Sequence, residues 1–300
     1  MSASSNLTFS GSWVALITPM DNEGSVNLND LRKLVNWHIN SGTTGLVVLG
    51  TTAETACLTE QEQLLVLNTV IDENNGRLPI VVGNGSNSTQ KTIEKTKQLD
   101  QLAIDGYLTV TPYYNKPNQK GMVEHFKAIA AATSKPIILY NVPSRTGVDL
   151  SNEAVIELSK ISNIVGIKDA TGDLSRIAVM KSEDESFILF SGDDETSQQY
   201  LALGGDGVIS VTANVEPAIV SEMVNASSQG LFELAKTIDQ RINKLHQDLF
   251  IEPNPVPAKW ALKEKGIISS DMVRLPLVTM ELIHQNIVKQ ALQEANDSEQ

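Results

Sequence analysis

One lysine, Lys168, closes the apolar run Ile164-Val165-Gly166-Ile167-Lys168 and is followed by Asp169-Ala170-Thr171-Gly172. A lysine amine is nucleophilic only as the free base, and an ordinary pKa of about 10.4 leaves it almost wholly protonated at neutral pH. Burial away from water disfavours the ammonium form and frees the lone pair. Such an amine attacks a ketone and forms a Schiff base. Side chains on a strand alternate between faces. With Lys168 turned into a closed sheet, Gly166 lies one layer below it and leaves space around the amine, while Val165, Ile167 and Asp169 face outward. The plain alternative is a lysine at a strand end that simply reaches solvent.

Other groups at the ends of apolar runs suit the same chemistry. Thr51, Tyr114 and Tyr140 each carry a hydroxyl that both donates and accepts, and dehydration of a carbinolamine needs several proton transfers. Taken singly, each is an ordinary turn or strand-end residue. Arg145 follows a Pro-Ser turn in Tyr140-Asn141-Val142-Pro143-Ser144-Arg145-Thr146-Gly147. Its planar guanidinium matches a carboxylate bidentately, against the alternative of a solvated surface arginine. Asp193-Asp194 reads as an acidic lead into a helix at Thr196. The four histidines, His38, His125, His246 and His284, and the single Cys57 are scattered. None has the spacing of a ligand group, so no catalytic metal is expected.

These groups need a scaffold that brings strand ends together. Eight short apolar runs occur: Trp13–Thr18, Leu46–Leu49, Ile80–Val82, Tyr107–Thr111, Ile137–Tyr140, Ile164–Lys168, Phe187–Phe190 and Gly207–Val211. They are rich in Val and Ile and mostly apolar throughout, as parallel strands covered on both faces are. Between them lie helix-like stretches at about 28–41, 60–74, 88–102, 119–134, 151–160, 174–181, 196–203 and 217–228. Thr59 with Glu62 forms a capping-box pattern, and Ser151 followed by Glu153 is another start signal. Helices end at Ser41-Gly42 and Asn75-Gly76. An open doubly wound sheet carries a glycine-rich phosphate loop after its first strand. Here that strand ends in Thr18-Pro19-Met20, the segment GNGSNS at 83–88 lacks the third glycine, and no Walker sequence occurs. The pattern predicts a (β/α)8 TIM barrel with additional C-terminal helices at about 230–250, 258–265 and 276–295. Residues 1–229 form the catalytic barrel in this reading, and 230–300 a helical extension packed on it. In such a barrel the active site stands at the carboxyl ends of the strands.

Composition narrows the partners. Of 300 residues, 41% are hydrophobic, enough for a large core, and the net charge is −13. With no long basic run, phosphate neutralisation has nothing to work with, which excludes a nucleic-acid surface. The polar start, MSASSNLTFSGS, has no apolar signal core, and no stretch has the roughly 20 apolar residues a membrane span needs. One cysteine permits no internal disulfide. The expected location is cytoplasmic.

The motifs VTPYYNKP, LYNVPSRTG, GIKDATG, LFSGDD, GVISVTANV and EPNPVPAKWA together resemble the dihydrodipicolinate synthase and N-acetylneuraminate lyase family of class I pyruvate-dependent aldolases. The resemblance runs from Val14-Ala15-Leu16-Ile17-Thr18-Pro19 to Arg274-Leu275-Pro276. It implies that Lys168 is the Schiff-base lysine for pyruvate and Tyr140 the central proton-transfer group. Thr51 and Tyr114 are its implied relay partners, with Tyr114 reaching into a neighbouring subunit. Thr52 is implied to bind the pyruvate carboxylate, and Gly192 and Ile209 match backbone positions near the site. Arg145 matches the group that receives the carboxylate of L-aspartate-4-semialdehyde. A sugar-acid aldolase such as N-acetylneuraminate lyase, the nearest alternative, calls for neutral groups there. A catalytically silent relative acting as a scaffold would have lost the lysine or the hydroxyls, and none is lost.

The implied activity is the lyase step that joins pyruvate to the semialdehyde on the diaminopimelate route to lysine. The covalent pyruvate imine takes the place of a cofactor, and the implied assembly is a homotetramer, a dimer of dimers. Two departures stand out. Ala53 replaces the family's glycine in Gly50-Thr51-Thr52-Ala53-Glu54, which strains the loop if that position requires positive φ. In feedback-sensitive members lysine binds near the positions of Thr55, Ala56, Glu60, Gln63, Asn87, Lys91 and Tyr113. Lys91 stands where the sensitive pattern has a glutamate, and Glu60 and Gln63 stand where it has histidines, so weak inhibition is expected.

Overall fold

A computed structural model describes residues 9–297 of the chain; most of the polar start noted above lies outside them. Eight parallel strands close into a barrel in simple chain order: β1 Gly11–Ala15, β2 Gly45–Val48, β3 Ile80–Gly83, β4 Gly106–Val110, β5 Ile137–Asn141, β6 Ile164–Asp169, β7 Ile188–Ser191 and β8 Gly207–Ser210. The helices are α1 Leu28–Asn40, α2 Glu60–Asn74, α3 Thr89–Leu99, α4 Gln119–Ala130, α5 Pro143–Thr146, α6 Asn152–Ser159, α7 Ser175–Glu183, α8 Ser197–Ala202, α9 Pro217–Ser228, α10 Phe232–Asp248, α11 Val256–Glu264 and α12 Leu282–Asp297. The short α5, directly after β5, was not expected from sequence; its Pro143 start and left-handed Gly147 stop fit one helical turn.

Local signals account for the ends. Thr59 and Glu62 form the expected capping box, with Glu62 N–H donating to Thr59 Oγ1 at 3.2 Å and Thr59 N–H to Glu62 Oε2 at 2.9 Å. Ser151 caps α6 through Ala154 N–H at 3.3 Å. Asn75 closes α2 in the left-handed conformation.

Two apolar regions result. Strand residues facing outward, such as Val14, Leu46, Leu139 and Ile167, pack with the helices, and the same cluster runs on into Ile242 and Leu245 of α10, Trp260 of α11 and Leu292 of α12. A second cluster fills the barrel: Phe9, Trp13, Ala15, Val47, Val81, Leu108, Ile138, Tyr140, Val142, Phe190 and Ile209. Trp13 stacks on Phe9 with centroids 5.7 Å apart and meets Phe190 edge-on at 5.8 Å. Trp13 and Phe190 are fully buried, and burying a side chain of this kind contributes roughly 1.5–3 kcal/mol.

Strand β6 departs from strict alternation. Ile137 of β5 pairs with Ile164 but Ile138 pairs with Gly166, so Val165 is an extra residue. Val165 therefore packs against the barrel interior, not against the helices as alternation along the strand predicted. Two residues of a bulged strand oppose one on the partner, which breaks the alternation there. Beyond the bulge it resumes, with Ile167 outward and Lys168 inward.

Candidate active site

Lys168 sits near the end of β6, 5% exposed, directly across from Tyr140 of β5 and Phe190 of β7. Its Nζ lies 4.5 Å from the centroid of the Tyr140 ring and has no hydrogen-bond partner among the described residues. Room for this side chain comes from Gly192, just beyond β7. A Cβ built on Gly192 would stand 2.8 Å from Lys168 Cε and 2.9 Å from Cγ. The Gly192 N–H is committed to Asp169 O at 2.7 Å, so the missing side chain is a distinct service to the site. Gly166 plays another part than expected: a Cβ there would meet Ile188 O at 2.5 Å and Ile188 Cβ at 2.8 Å. It lets β7 approach β6 and does not clear space for the amine. Ile209, 1% exposed, lies in the interior cluster with Tyr140.

The loop after β2 carries Thr51 and Thr52. It makes one 3-10 turn over Thr51–Ala53, reverses at Glu54 (φ 55, ψ 33), and makes another over Thr55–Cys57. Thr18 Oγ1 donates to Ala53 O at 2.9 Å and Thr55 Oγ1 to Gly50 O at 2.8 Å. Ala53 is buried in the first turn and is not at positive φ; the left-handed residue is Glu54, its neighbour. The condition for strain at Ala53, a positive φ, is thus not met. Thr51 is exposed. Thr52 is 3% exposed and accepts a hydrogen bond from Asn254 Nδ2 at 2.8 Å.

Glu54 is held from the C-terminal extension. Its carboxylate and the Lys259 ammonium, both side chains fully buried, lie 2.6 Å apart. Arg274 N–H donates to the other carboxylate oxygen at 2.8 Å, and Lys259 also donates to Met272 O at 2.6 Å. Burial pulls the Lys259 ammonium below the usual lysine range, and Glu54 opposes that shift. Breaking a buried pair of this kind by removing one partner typically costs about 3–5 kcal/mol. Sequence reasoning assigned no role to Glu54, Asn254 or Lys259, although EPNPVPAKWA stood out; a lysine inside the apolar run VPAKWAL was the available signal.

Arg145 is exposed on α5, and its side chain makes no hydrogen bond or ion pair among the described residues, which leaves its guanidinium available. Tyr114 is 89% exposed at φ +74 in the loop after β4. Within one chain, no hydrogen bond joins Tyr140, Thr51 and Tyr114. Asp193 accepts from Thr196 N–H at 3.2 Å and from Thr196 Oγ1 at 2.6 Å, in the turn that leads into α8. Asp194 instead ties down the end of β8, accepting from Val211 and Thr212 N–H at 2.9 Å each. Among the described residues no three His, Cys, Asp or Glu side chains gather as a metal would require.

A closed parallel barrel whose mouth buries one unpartnered lysine beside a tyrosine is built for class I, Schiff-base aldolase chemistry. Comparison with known proteins narrows this class. The model of the Dihydrodipicolinate synthetase family matches residues 8–295, and the chain belongs to that family. It is 48% identical to a 4-hydroxy-tetrahydrodipicolinate synthase of Pseudoalteromonas atlantica, over 95% of this chain and 97% of the relative. It superposes with TM-score 0.94 and 46% identity on a dihydrodipicolinate synthase of Acinetobacter baumannii complexed with pyruvate, over 96% of this chain and 99% of that one. A Cyanidioschyzon merolae enzyme of the same name with lysine bound gives TM-score 0.92 at 36% identity, over 96% of this chain and 98% of that one.

Proposed function

We infer that the protein condenses pyruvate with L-aspartate-4-semialdehyde, the lyase reaction of its relatives on the diaminopimelate route to lysine. The observation that carries this reading is the Lys168 amine, 5% exposed, without a hydrogen-bond partner among the described residues and 4.5 Å from the Tyr140 ring. The amine attacks the ketone carbon of pyruvate, and the carbinolamine loses water to give the imine. Loss of a methyl proton then gives an enamine, whose carbon attacks the aldehyde. The amino group of the semialdehyde next attacks the imine carbon, closes the ring and releases Lys168. Every step moves a proton, and the relay proposed for it, on the family resemblance, is Tyr140, Thr51 and a neighbour's Tyr114. Thr52 holds the pyruvate carboxylate, Gly192 and Ile209 line that pocket, and Arg145 receives the carboxylate of the semialdehyde.

No cofactor enters this scheme, because the imine itself is the electron sink. Residues 1–229 supply the chemistry, and 230–300 support it as an extension packed on the barrel. The assembly proposed is a dimer of dimers, argued from the exposure of Tyr114. The compartment proposed is the cytoplasm, in keeping with a lone free cysteine, Cys57. Among the described residues no helix is long and apolar enough to cross a membrane.

Borohydride reduction in the presence of pyruvate tests the reading. A stable adduct on the peptide containing Lys168, found by mass spectrometry and lost in Lys168→Ala together with turnover, is the expected result. Unchanged turnover in Lys168→Ala contradicts the whole scheme.

A further inference from the structure

We propose that Asn254, in the C-terminal extension, is a positioning residue that aims the Thr52 hydroxyl at the carboxylate of pyruvate. The inference rests on the assignment of Thr52 to that carboxylate and adds what sets the direction of its proton.

The contact joins residues 202 positions apart: Asn254 Nδ2 donates to Thr52 Oγ1 at 2.8 Å, both groups buried. A hydroxyl has one proton to give and two lone pairs to receive, whereas a carboxylate can only accept. An amide N–H on one lone pair leaves the proton of Thr52 for another partner. It also polarises the hydroxyl and makes it a better donor. Threonine alone does not fix this, since its hydroxyl rotates to suit whatever surrounds it.

The rest of the Asn254 side chain points to the same role. Its Oδ1 is buried with no hydrogen-bond partner, so the bond to Thr52 is the side chain's only one among the described residues. A buried amide with an unsatisfied oxygen weakens a fold; a packing role alone is better served by an apolar side chain. The framework on either side is rigid. Five residues along, Lys259 locks onto Glu54, two residues past Thr52, in the fully buried ion pair, and Arg274 N–H binds the same carboxylate. Thr18 holds the first turn of the loop through Ala53 O. The extension thus fixes the loop's position through Glu54 and the polarity of its hydroxyl through Asn254.

Purified full-length protein decides this through the pyruvate concentration that half-saturates borohydride trapping at Lys168, with circular dichroism as a check on folding. Asn254→Ala is expected to raise that concentration about threefold to tenfold, the effect of one neutral hydrogen bond, with little change in KM for the semialdehyde. Asn254→Asp, which offers only acceptors, turns the hydroxyl away and is expected to raise it further. In a Thr52→Val background, where no hydroxyl remains to aim, Asn254→Ala is expected to add nothing. Asn254→Ser replaces the alanine variant if that one does not fold, with the same expectations. An unchanged half-saturating concentration, or an equal increment in the Thr52→Val background, overturns the proposal. If the unaltered protein is not trapped by pyruvate at all, the functional reading itself has failed, a result separate from either.

Discussion

Arg145 is the side chain that separates the proposed substrate from its nearest alternative. Its guanidinium is exposed on the single turn of α5 and engaged by nothing among the described residues, while Gly147 ends that turn in the left-handed conformation at φ 73. A charged hydrogen bond to a carboxylate is worth about 1.5–3 kcal/mol. Arg145→Ala is therefore expected to lower kcat/KM for the semialdehyde by about 10- to 150-fold and to leave pyruvate trapping at Lys168 nearly unchanged. Equal losses in both assays would make Arg145 structural and return the sugar-acid reading to contention. At this scale the sequence showed which residue types line the mouth, because strand ends are visible as the limits of apolar runs. Lys168 and Tyr140 were legible in that way. What clears space for the amine was not: that part falls to Gly192, expected only as a backbone position near the site, while Gly166 admits Ile188 of β7. Asn254 and Lys259 act over 202 and 205 positions, a separation that no local pattern reports.

The eight strands and most helices were legible because both follow from local periodicity and caps, as Thr59 and Glu62 illustrate. The short α5 was not, because four residues carry no period. Packing of the helices onto the barrel has a consequence for pH. His38 of α1 is fully buried, bonded through Nδ1 to Thr43 Oγ1 at 3.0 Å, and burial pushes its pKa down to about 3. His125 of α4 bonds Thr89 Oγ1 at 2.8 Å, and burial lowers its pKa to about 4. In the unfolded chain both titrate at about 6.5. Below that pH the unfolded state takes up protons that the folded state refuses, so stability falls as pH falls. The loss runs from about pH 6.5 to the two folded values, at roughly 1.4 kcal/mol per pH unit for each histidine. Denaturant unfolding between pH 7 and 5 should show a declining midpoint, with a shallower decline in His38→Gln. A midpoint that is flat or rises on acidification would refute the buried neutral state of both.

At the scale of the whole molecule, the assembly proposed is argued from Tyr114. A tyrosine 89% exposed and held at φ +74 carries a conformational cost that nothing within its own chain repays, and Tyr113 beside it is also exposed. Tyr114→Phe should lower turnover while leaving assembly intact, and sedimentation should show at least a dimer; a fully active monomer would contradict the shared site. The positions that the resemblance implies for lysine binding include Tyr113 and extend to α2 and α3. Gln63 donates to Thr55 O at 3.2 Å and Leu58 O at 3.1 Å and accepts from Lys95 Nζ at 3.0 Å, so its amide is already engaged. The Asn87 carbonyl accepts from Asn115 Nδ2 at 2.8 Å. Lys91 and Lys95 stand one turn apart on α3. Burial lowers the pKa of Lys95, opposed by the charge of Glu60. A lysine ligand placed near Thr55, Ala56, Glu60 and Tyr113 would bring two further ammonium groups toward these cations. Like charges at about 4 Å repel by roughly 1 kcal/mol in water and more when partly buried, and Glu60 offsets part of this. Half-inhibition of initial rates is therefore expected only above about 1 mM lysine, corresponding to some 4 kcal/mol of binding. Lys91→Glu, which exchanges a repulsive charge for an attractive one, should shift half-inhibition to lower concentration. Strong inhibition of the unaltered protein below that level, or no shift in Lys91→Glu, would show that charge at α3 does not govern the site.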